Sequence, residues 1–193
     1  MPRERLYPAF LRLAGLPVVV VGGGAVAASK LDGLLEAGAS VTVVAPRICD
    51  AIRARGVTLV ERAFRPAHLA GARWVVAAAT PEVNREVADA AASRGLFVNA
   101  VDDTAAATAY LGGVVRRGEL EIAISTGGLA PALAGLLREA LEAVLPRELD
   151  RWIEVAKQAR IEWKAAQVPI AERRPLLLRA LDRIYATNQE ERG

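Results

Sequence analysis

Val18-Val19-Val20-Val21-Gly22-Gly23-Gly24-Ala25-Val26-Ala27-Ala28-Ser29-Lys30 runs four β-branched apolar residues into three glycines and then into a helix-forming segment. The pattern predicts a strand, a tight turn and a helix. Gly22, Gly24 and Ala27 stand in the spacing Gly-x-Gly-x-x-Ala. Gly22 suits a turn that other residues do not make. Gly24 lets the backbone approach a pyrophosphate, Ala27 lets the helix pack closely on the strand, and the helix N-terminus faces the phosphate charge. A glycine-rich strand–helix turn also occurs without any ligand, so the motif takes its meaning from the rest of the chain.

Working outward, strand and helix alternate. Leu6, Phe10, Leu11 and Leu13 form a lead-in that can pack beside the first strand. After the glycines, Ala28, Leu31, Leu34 and Leu35 have helical spacing, and Gly38 ends the helix. Val41–Val44 is uniformly apolar, as a strand buried on both faces requires. A short helix over 48–55 and strands over 57–60, 74–78 and 96–99 are expected, with a helix opened by Thr80-Pro81. This alternation predicts an α/β fold, a Rossmann-like doubly wound parallel sheet. Beyond Asp102-Asp103 the pattern changes. Residues 108–115 and 120–125 read as a hairpin joined by Arg116-Arg117-Gly118-Glu119. Helices over 131–144, 147–166 and 170–185 follow, with Pro169 and Pro175 at a boundary and first turn, and residues 186–193 expected to fray.

Composition bounds the reading. The chain has 193 residues, 53% of them apolar and 24% charged, a balance that supports a globular core. A net charge of +3 gives no reason to expect nucleic acid. No apolar run reaches the ~18 residues of a membrane span, and Met1-Pro2-Arg3-Glu4-Arg5 does not resemble a secretory leader. One cysteine, Cys49, allows no intrachain disulfide, so a cytoplasmic setting is the default expectation.

Several residues could carry chemistry. Strand two runs into Ala45-Pro46-Arg47, with no carboxylate for ribose hydroxyls. By the general rule Arg47 would favour a 2′-phosphate, and the plain alternative is a solvated helix-start residue. Asp102 and Asp103 follow strand five at its carboxyl end, where open α/β sheets bind ligands; a carboxylate there is a general base, a metal ligand or a substrate-orienting group, or else a cap. Ser125-Thr126-Gly127-Gly128 precedes a helix and offers hydroxyls and amides to an anion, or ordinary capping. His68 and Cys49 are isolated and read as structural, so no metal ligand set is assigned. The C-terminal helices carry Arg151, Lys157, Arg160, Lys164, Arg173, Arg174, Arg179 and Arg183, either a solvated face or a surface for a polyanion.

Five stretches taken together resemble the precorrin-2 dehydrogenase family, which includes the corresponding module of siroheme synthase. They are Leu6-Tyr7-Pro8-Ala9-Phe10-Leu11, the glycine run, Val41-Thr42-Val43-Val44-Ala45-Pro46, Val98-Asn99-Ala100-Val101-Asp102-Asp103 and Ile122-Ala123-Ile124-Ser125-Thr126-Gly127-Gly128. The resemblance runs in order over about residues 5–185. It departs at Ser29, at Tyr110-Leu111-Gly112-Gly113 and at Ala79–Asn84, which is two residues shorter than the family pattern.

The resemblance implies NAD-dependent oxidation of precorrin-2 to sirohydrochlorin, and in some members Fe²⁺ insertion. It implies a homodimer built on the region after the nucleotide domain. It makes Asp102 the catalytic aspartate and places Ala25, Val26, Pro46 and Arg47, with Thr80 on the neighbouring loop, at the NAD site beside Gly22 and Gly24. Ser125, Thr126, Gly127 and Gly128 fall at the tetrapyrrole. The implied division is an NAD-binding domain over 1–110, a dimerisation segment over 111–146 and a helical region over 147–193. Two other functions fit the residues alone: a different NAD(P)-dependent oxidoreductase, and a nucleotide-sensing module that needs the glycine turn but neither Asp102 nor a basic tail.

Overall fold

The computed structural model describes residues 5–190, and side chains as far as Tyr185. The chain forms two compact units. One comprises the residues up to Leu111 with Ser125–Ala130; the other comprises Gly112–Ile124 with the chain from Pro131 on. The division differs from the sequence boundaries in returning the 125–130 turn to the first unit and grouping the hairpin with the C-terminal helices.

The first unit is built on a five-stranded parallel sheet in the order β3-β2-β1-β4-β5. Its elements are β1 (Pro17–Val21), α1 (Ala25–Glu36), β2 (Ser40–Val44), α2 (Asp50–Arg53), β3 (Thr58–Val60), β4 (Trp74–Ala77), α3 (Pro81–Ala92) and β5 (Val98–Ala100), with a 3₁₀ turn over Pro66–Leu69. β1 is central, Val18 facing Val41 on one side and Trp74 on the other. Its alternate side chains serve two cores. Val18 and Val20 pack with Ala27, Leu31 and Leu34 of α1. Val19 and Val21 pack with Val87, Ala88 and Ala91 of α3 and with Leu69. Two buried faces explain why β1 and β2 read as unbroken apolar runs. Burying each such side chain contributes roughly 1.5–3 kcal/mol. Strand order reverses between β1 and β4, which places a crevice at their carboxyl ends.

Three features of this unit differ from the sequence reading. Of the lead-in, Leu13 packs on the first core, whereas Leu6, Tyr7, Phe10 and Leu11 are exposed and form no strand. β5 is shifted by about a residue, to Val98–Ala100. Thr108 does not begin the next strand. Its N–H and that of Ala109 donate to the Val98 carbonyl (2.9 and 3.0 Å), and the Val98 N–H donates to Thr108 Oγ1 at 2.8 Å. The β-branched Thr108 therefore fastens residues 100–110 to the sheet edge.

The second unit contains the antiparallel hairpin β6 (Gly113–Arg117) and β7 (Leu120–Ile124), then α4 (Pro131–Val144), α5 (Leu149–Ala165) and α6 (Ile170–Glu190). α4 lies against the hairpin so closely that a Cβ on Gly113 would sit 3.0 Å from the Ala134 carbonyl oxygen. In α5 and α6, Leu149, Ala159 and Ile184 are buried, and the Trp152 and Tyr185 rings meet edge-on at 6.2 Å. Pro175 lies inside α6, not in its first turn, because the helix begins at Ile170. The α6 backbone is helical as far as Glu190, and residues 191–193 lie outside the described residues.

Candidate active site

The glycine turn is shaped by two different demands. Gly22 has φ +134°, and a Cβ there would overlap the Ala78 carbonyl. A Cβ on Gly23 would overlap the Arg47 carbonyl and approach Ala45 Cβ at 2.9 Å. The protein's own packing thus requires both. Gly24 is different: a Cβ there would meet no protein atom within 4 Å. It is the N-cap of α1 and supplies no side-chain cap, and the first turn holds no acidic residue. The N–H groups of Ala25, Val26 and Ala27 are among those a helix start leaves without an internal partner. Open space before an uncapped helix N-terminus fits a dinucleotide pyrophosphate.

Pro46 and Arg47 sit beside this turn. Cys49 N–H donates to the Gly23 carbonyl at 2.9 Å, and Ala45 N–H to the Val60 carbonyl at 3.2 Å, so the β2–α2 loop is pinned against the glycines. Cys49 thereby serves as an N-cap position of α2. Thr80 is the N-cap of α3, and its carbonyl accepts the Asn84 N–H at 2.8 Å. Its hydroxyl, acting with the Glu82 backbone N–H, holds the Glu82 carboxyl below the usual range; the backbone N–H is the stronger influence.

A cleft of about 240 Å³ opens at the strand reversal, lined by Val26, Ala78, Ala79, Pro81, Asn84, Val101, Asp102 and Asp103. It brings the first turn of α1 together with Asp102. The two aspartates divide the readings made for them. Asp103 is the cap: its Oδ1 accepts from the Ala105 and Ala106 N–H groups, both at 3.1 Å. Asp102 is exposed and makes no hydrogen bond or ion pair among the described residues. It adopts φ +59°, a left-handed conformation that is sparsely populated for non-glycine residues. Here the surrounding bonds impose it. Val101 N–H is held by the Ala77 carbonyl at 2.9 Å, and Asp103 is locked by its own cap.

Asn84, which sequence reasoning missed, links the walls of this cleft. It is 3% exposed; its Oδ1 accepts the Ala79 N–H at 2.9 Å and its amide donates to the Val101 carbonyl at 3.4 Å. The signal was available as a lone polar residue on a helix face otherwise formed by Val87, Ala88 and Ala91. Asn99, also buried, donates to the Ala109 carbonyl at 3.0 Å and secures the segment after Asp102.

The Ser125–Gly128 turn belongs to the same unit and rests on that segment. A Cβ on Gly128 (φ +76°) would lie 2.6 Å from Thr104 Cγ2 and 3.3 Å from the Tyr110 ring, while Tyr110 OH donates to the Thr104 carbonyl at 3.0 Å. Within the turn, Gly127 N–H donates to Ser125 Oγ at 3.1 Å and Ala130 N–H to Thr126 Oγ1 at 3.2 Å. Both hydroxyls and two of the amides therefore stabilise the turn itself. The basic surface is partly committed as well. Lys157 is paired with Glu119 and Glu154, and the Arg173 guanidinium donates to the Val168 carbonyl. His68 Nδ1 accepts the Arg65 N–H at 3.0 Å, a structural role. Among the described residues no three His, Cys, Asp or Glu side chains converge as a metal site, and no helix is long and apolar enough to cross a membrane.

Comparison with known proteins identifies a family for the chain. The family model described as "Putative NAD(P)-binding" matches residues 9–113, and the model "Sirohaem biosynthesis protein central" matches residues 117–143. Siroheme synthase 2 of Aeromonas salmonicida (strain A449) is 44% identical over 94% of the chain. Siroheme synthase of Neisseria meningitidis serogroup C (strain 053442) is 40% identical over 87%. The chain spans only 38% and 36% of those two proteins. A solved structure titled "SirC, precorrin-2 dehydrogenase" shares the fold, with a TM-score of 0.67 at 24% identity, over 90% of this chain and 88% of that one. With the first model covering more than half its length, the chain belongs to this NAD(P)-binding family.

Proposed function

We propose that the chain catalyses the NAD-dependent dehydrogenation of precorrin-2 to sirohydrochlorin. The observation that carries this is the shared cleft, with the uncapped α1 N-terminus on one wall and the unpartnered Asp102 carboxylate on the other. Gly22, Gly24, Ala25 and Val26 would hold the pyrophosphate, with Pro46, Arg47 and Thr80 flanking it. The nicotinamide, when bound, accepts the hydride. Asp102 takes the proton that the macrocycle loses with it, which balances the oxidation. The Asp102 carboxylate lines the cleft without a partner among the described residues, whereas an Asp103 oxygen already serves two amides. The Ser125–Gly128 turn, seated on Thr104 and Tyr110, would form the tetrapyrrole side of the site.

The same reading makes a second copy of the chain the partner, in a cytoplasmic homodimer. The exposed apolar residues Leu133, Leu136, Leu137 and Val144 of α4 support it. Incubating the purified protein with precorrin-2 and NAD⁺ should produce the sirohydrochlorin visible spectrum. Later addition of Fe²⁺ reports whether the same chain also inserts the metal. Asp102→Asn keeps the side-chain shape and tolerates the left-handed backbone. It should retain NAD⁺ binding and lose roughly 10²–10⁴-fold in turnover, the range of general base catalysis; Asp102→Ala should lose most turnover too. Near-normal turnover in both removes Asp102 from the mechanism. NAD⁺ binding with no spectral change in the wild type favours a nucleotide sensor.

A further inference from the structure

The exit of β2 lacks the carboxylate that selects for a free ribose, and the charges left there are positive. β2 and β3 run side by side, Val44 opposite Val60. Three residues on from Val44 stands Arg47, and two on from Val60 stands Arg62. Both are exposed, and neither has a hydrogen bond or ion pair among the described side chains. Two carboxylates of the flanking elements, Glu61 and Asp32, are already paired. Arg53 grips Glu61 with two bonds, Nη1 to Oε1 at 2.9 Å and Nη2 to Oε2 at 2.6 Å, which hold the Glu61 carboxyl below its usual range. Asp32 is paired with Arg55. Asp50 adds its charge to the field that stabilises the Arg53 cation.

The backbone that carries Arg47 is fixed. The Ala45 and Cys49 N–H bonds hold the loop at both ends, and the Arg47 carbonyl lies where a Gly23 Cβ would be. A dinucleotide laid on the α1 N-terminus brings its adenosine ribose to the end of the second strand. A carboxylate there accepts the ribose hydroxyls and repels a 2′-phosphate; a guanidinium does the opposite. We propose that Arg47 forms a 2′-phosphate subsite, so that the chain takes NADP⁺ as well as NAD⁺. This rests on the nucleotide reading above and extends it.

The test is equilibrium binding to the full chain by calorimetry, with NAD⁺, NADP⁺ and two fragments, 5′-AMP and adenosine 2′,5′-bisphosphate. The bisphosphate should bind about tenfold or more tightly than AMP, the strength of a charged hydrogen bond, and added salt should erode that advantage. NADP⁺ should bind within about tenfold of NAD⁺ or better. Arg47→Ala should cost NADP⁺ far more than NAD⁺, and Arg47→Lys should keep part of the advantage. A wild type that prefers AMP, or an Arg47→Ala variant that keeps the bisphosphate advantage, overturns the subsite. Binding of NAD⁺ without NADP⁺ also removes it and leaves the dehydrogenase reading standing. Failure of both dinucleotides to bind defeats the nucleotide reading and the subsite with it.

Discussion

The two units complete their cores to different degrees. In the first, Val18, Val20, Val43, Val44, Val75 and Val76 are fully buried, and helices cover both faces of the sheet. In the second, α4 buries Ala134 but leaves Leu136 64% and Val144 73% exposed. The cause is geometric. A five-stranded parallel sheet offers two broad faces that its own crossover helices cover, whereas a two-stranded hairpin offers one narrow face and is marginal alone. Leu133, Leu136, Leu137 and Val144 follow helical spacing, so they form a stripe and not scattered exposure. The sheet core of the first unit is finished within one chain, its exposed large apolar side chains lying mainly in the lead-in and at Phe97, and the unit holds the cleft. The second presents surface that the proposed homodimer would cover.

The largest effect should come from breaking the finished unit at its turn. Gly23→Val forces a side chain onto the Arg47 carbonyl and should cost about 3 kcal/mol or more in denaturant unfolding. Gly24→Ala meets open space, so it should cost at most ~1 kcal/mol, while weakening nucleotide binding measured by calorimetry. Equal losses of stability at the two positions would contradict the division of roles drawn for these glycines.

An intermediate effect sharpens the other side of the comparison. Leu136→Glu places a charge in the α4 stripe. In sedimentation velocity at micromolar concentration the wild type should run as a dimer and this variant as a folded monomer. A monomeric wild type sinks the homodimer. The smallest effect concerns the surface of the finished unit. Because Arg53 lowers the Glu61 carboxyl in the folded state, the pair contributes stability above the unfolded value near 4.3 and loses it as pH falls through the lower folded value. Arg53→Gln should therefore lie below the wild type in urea stability near pH 7 and converge with it on acidification, by little at any pH and less in high salt. A constant gap across that range would assign the effect to packing.

Legibility in the sequence followed the same divide between local and non-local causes. The β1 turn and α4, which spans Pro131–Val144 as expected, were readable because apolar period, glycines and an initial proline all act within a few residues. Gly23 escaped the motif, whose spacing leaves that position open; its requirement comes from the Arg47 carbonyl, more than twenty residues away. Thr108 was misread as a strand because its residue type favours β structure, while its bonds run back to Val98 outside any ladder. The Asp102–Asp103 pair was found as a pair. Only the bonds to the Ala105 and Ala106 amides separate cap from unpartnered carboxylate.

The strap at Thr108 also has a bearing on assembly. Sheet edges invite strands from other molecules, because their outward amides and carbonyls lack partners. At β5 the outward Val98 N–H is spent on Thr108 Oγ1, and its carbonyl on two amides. At the opposite edge, β3 is only three residues long. The parallel sheet is thereby blunted at both margins against annealing to a neighbour's sheet, which leaves side-chain surfaces such as the α4 stripe for the proposed homodimer contact.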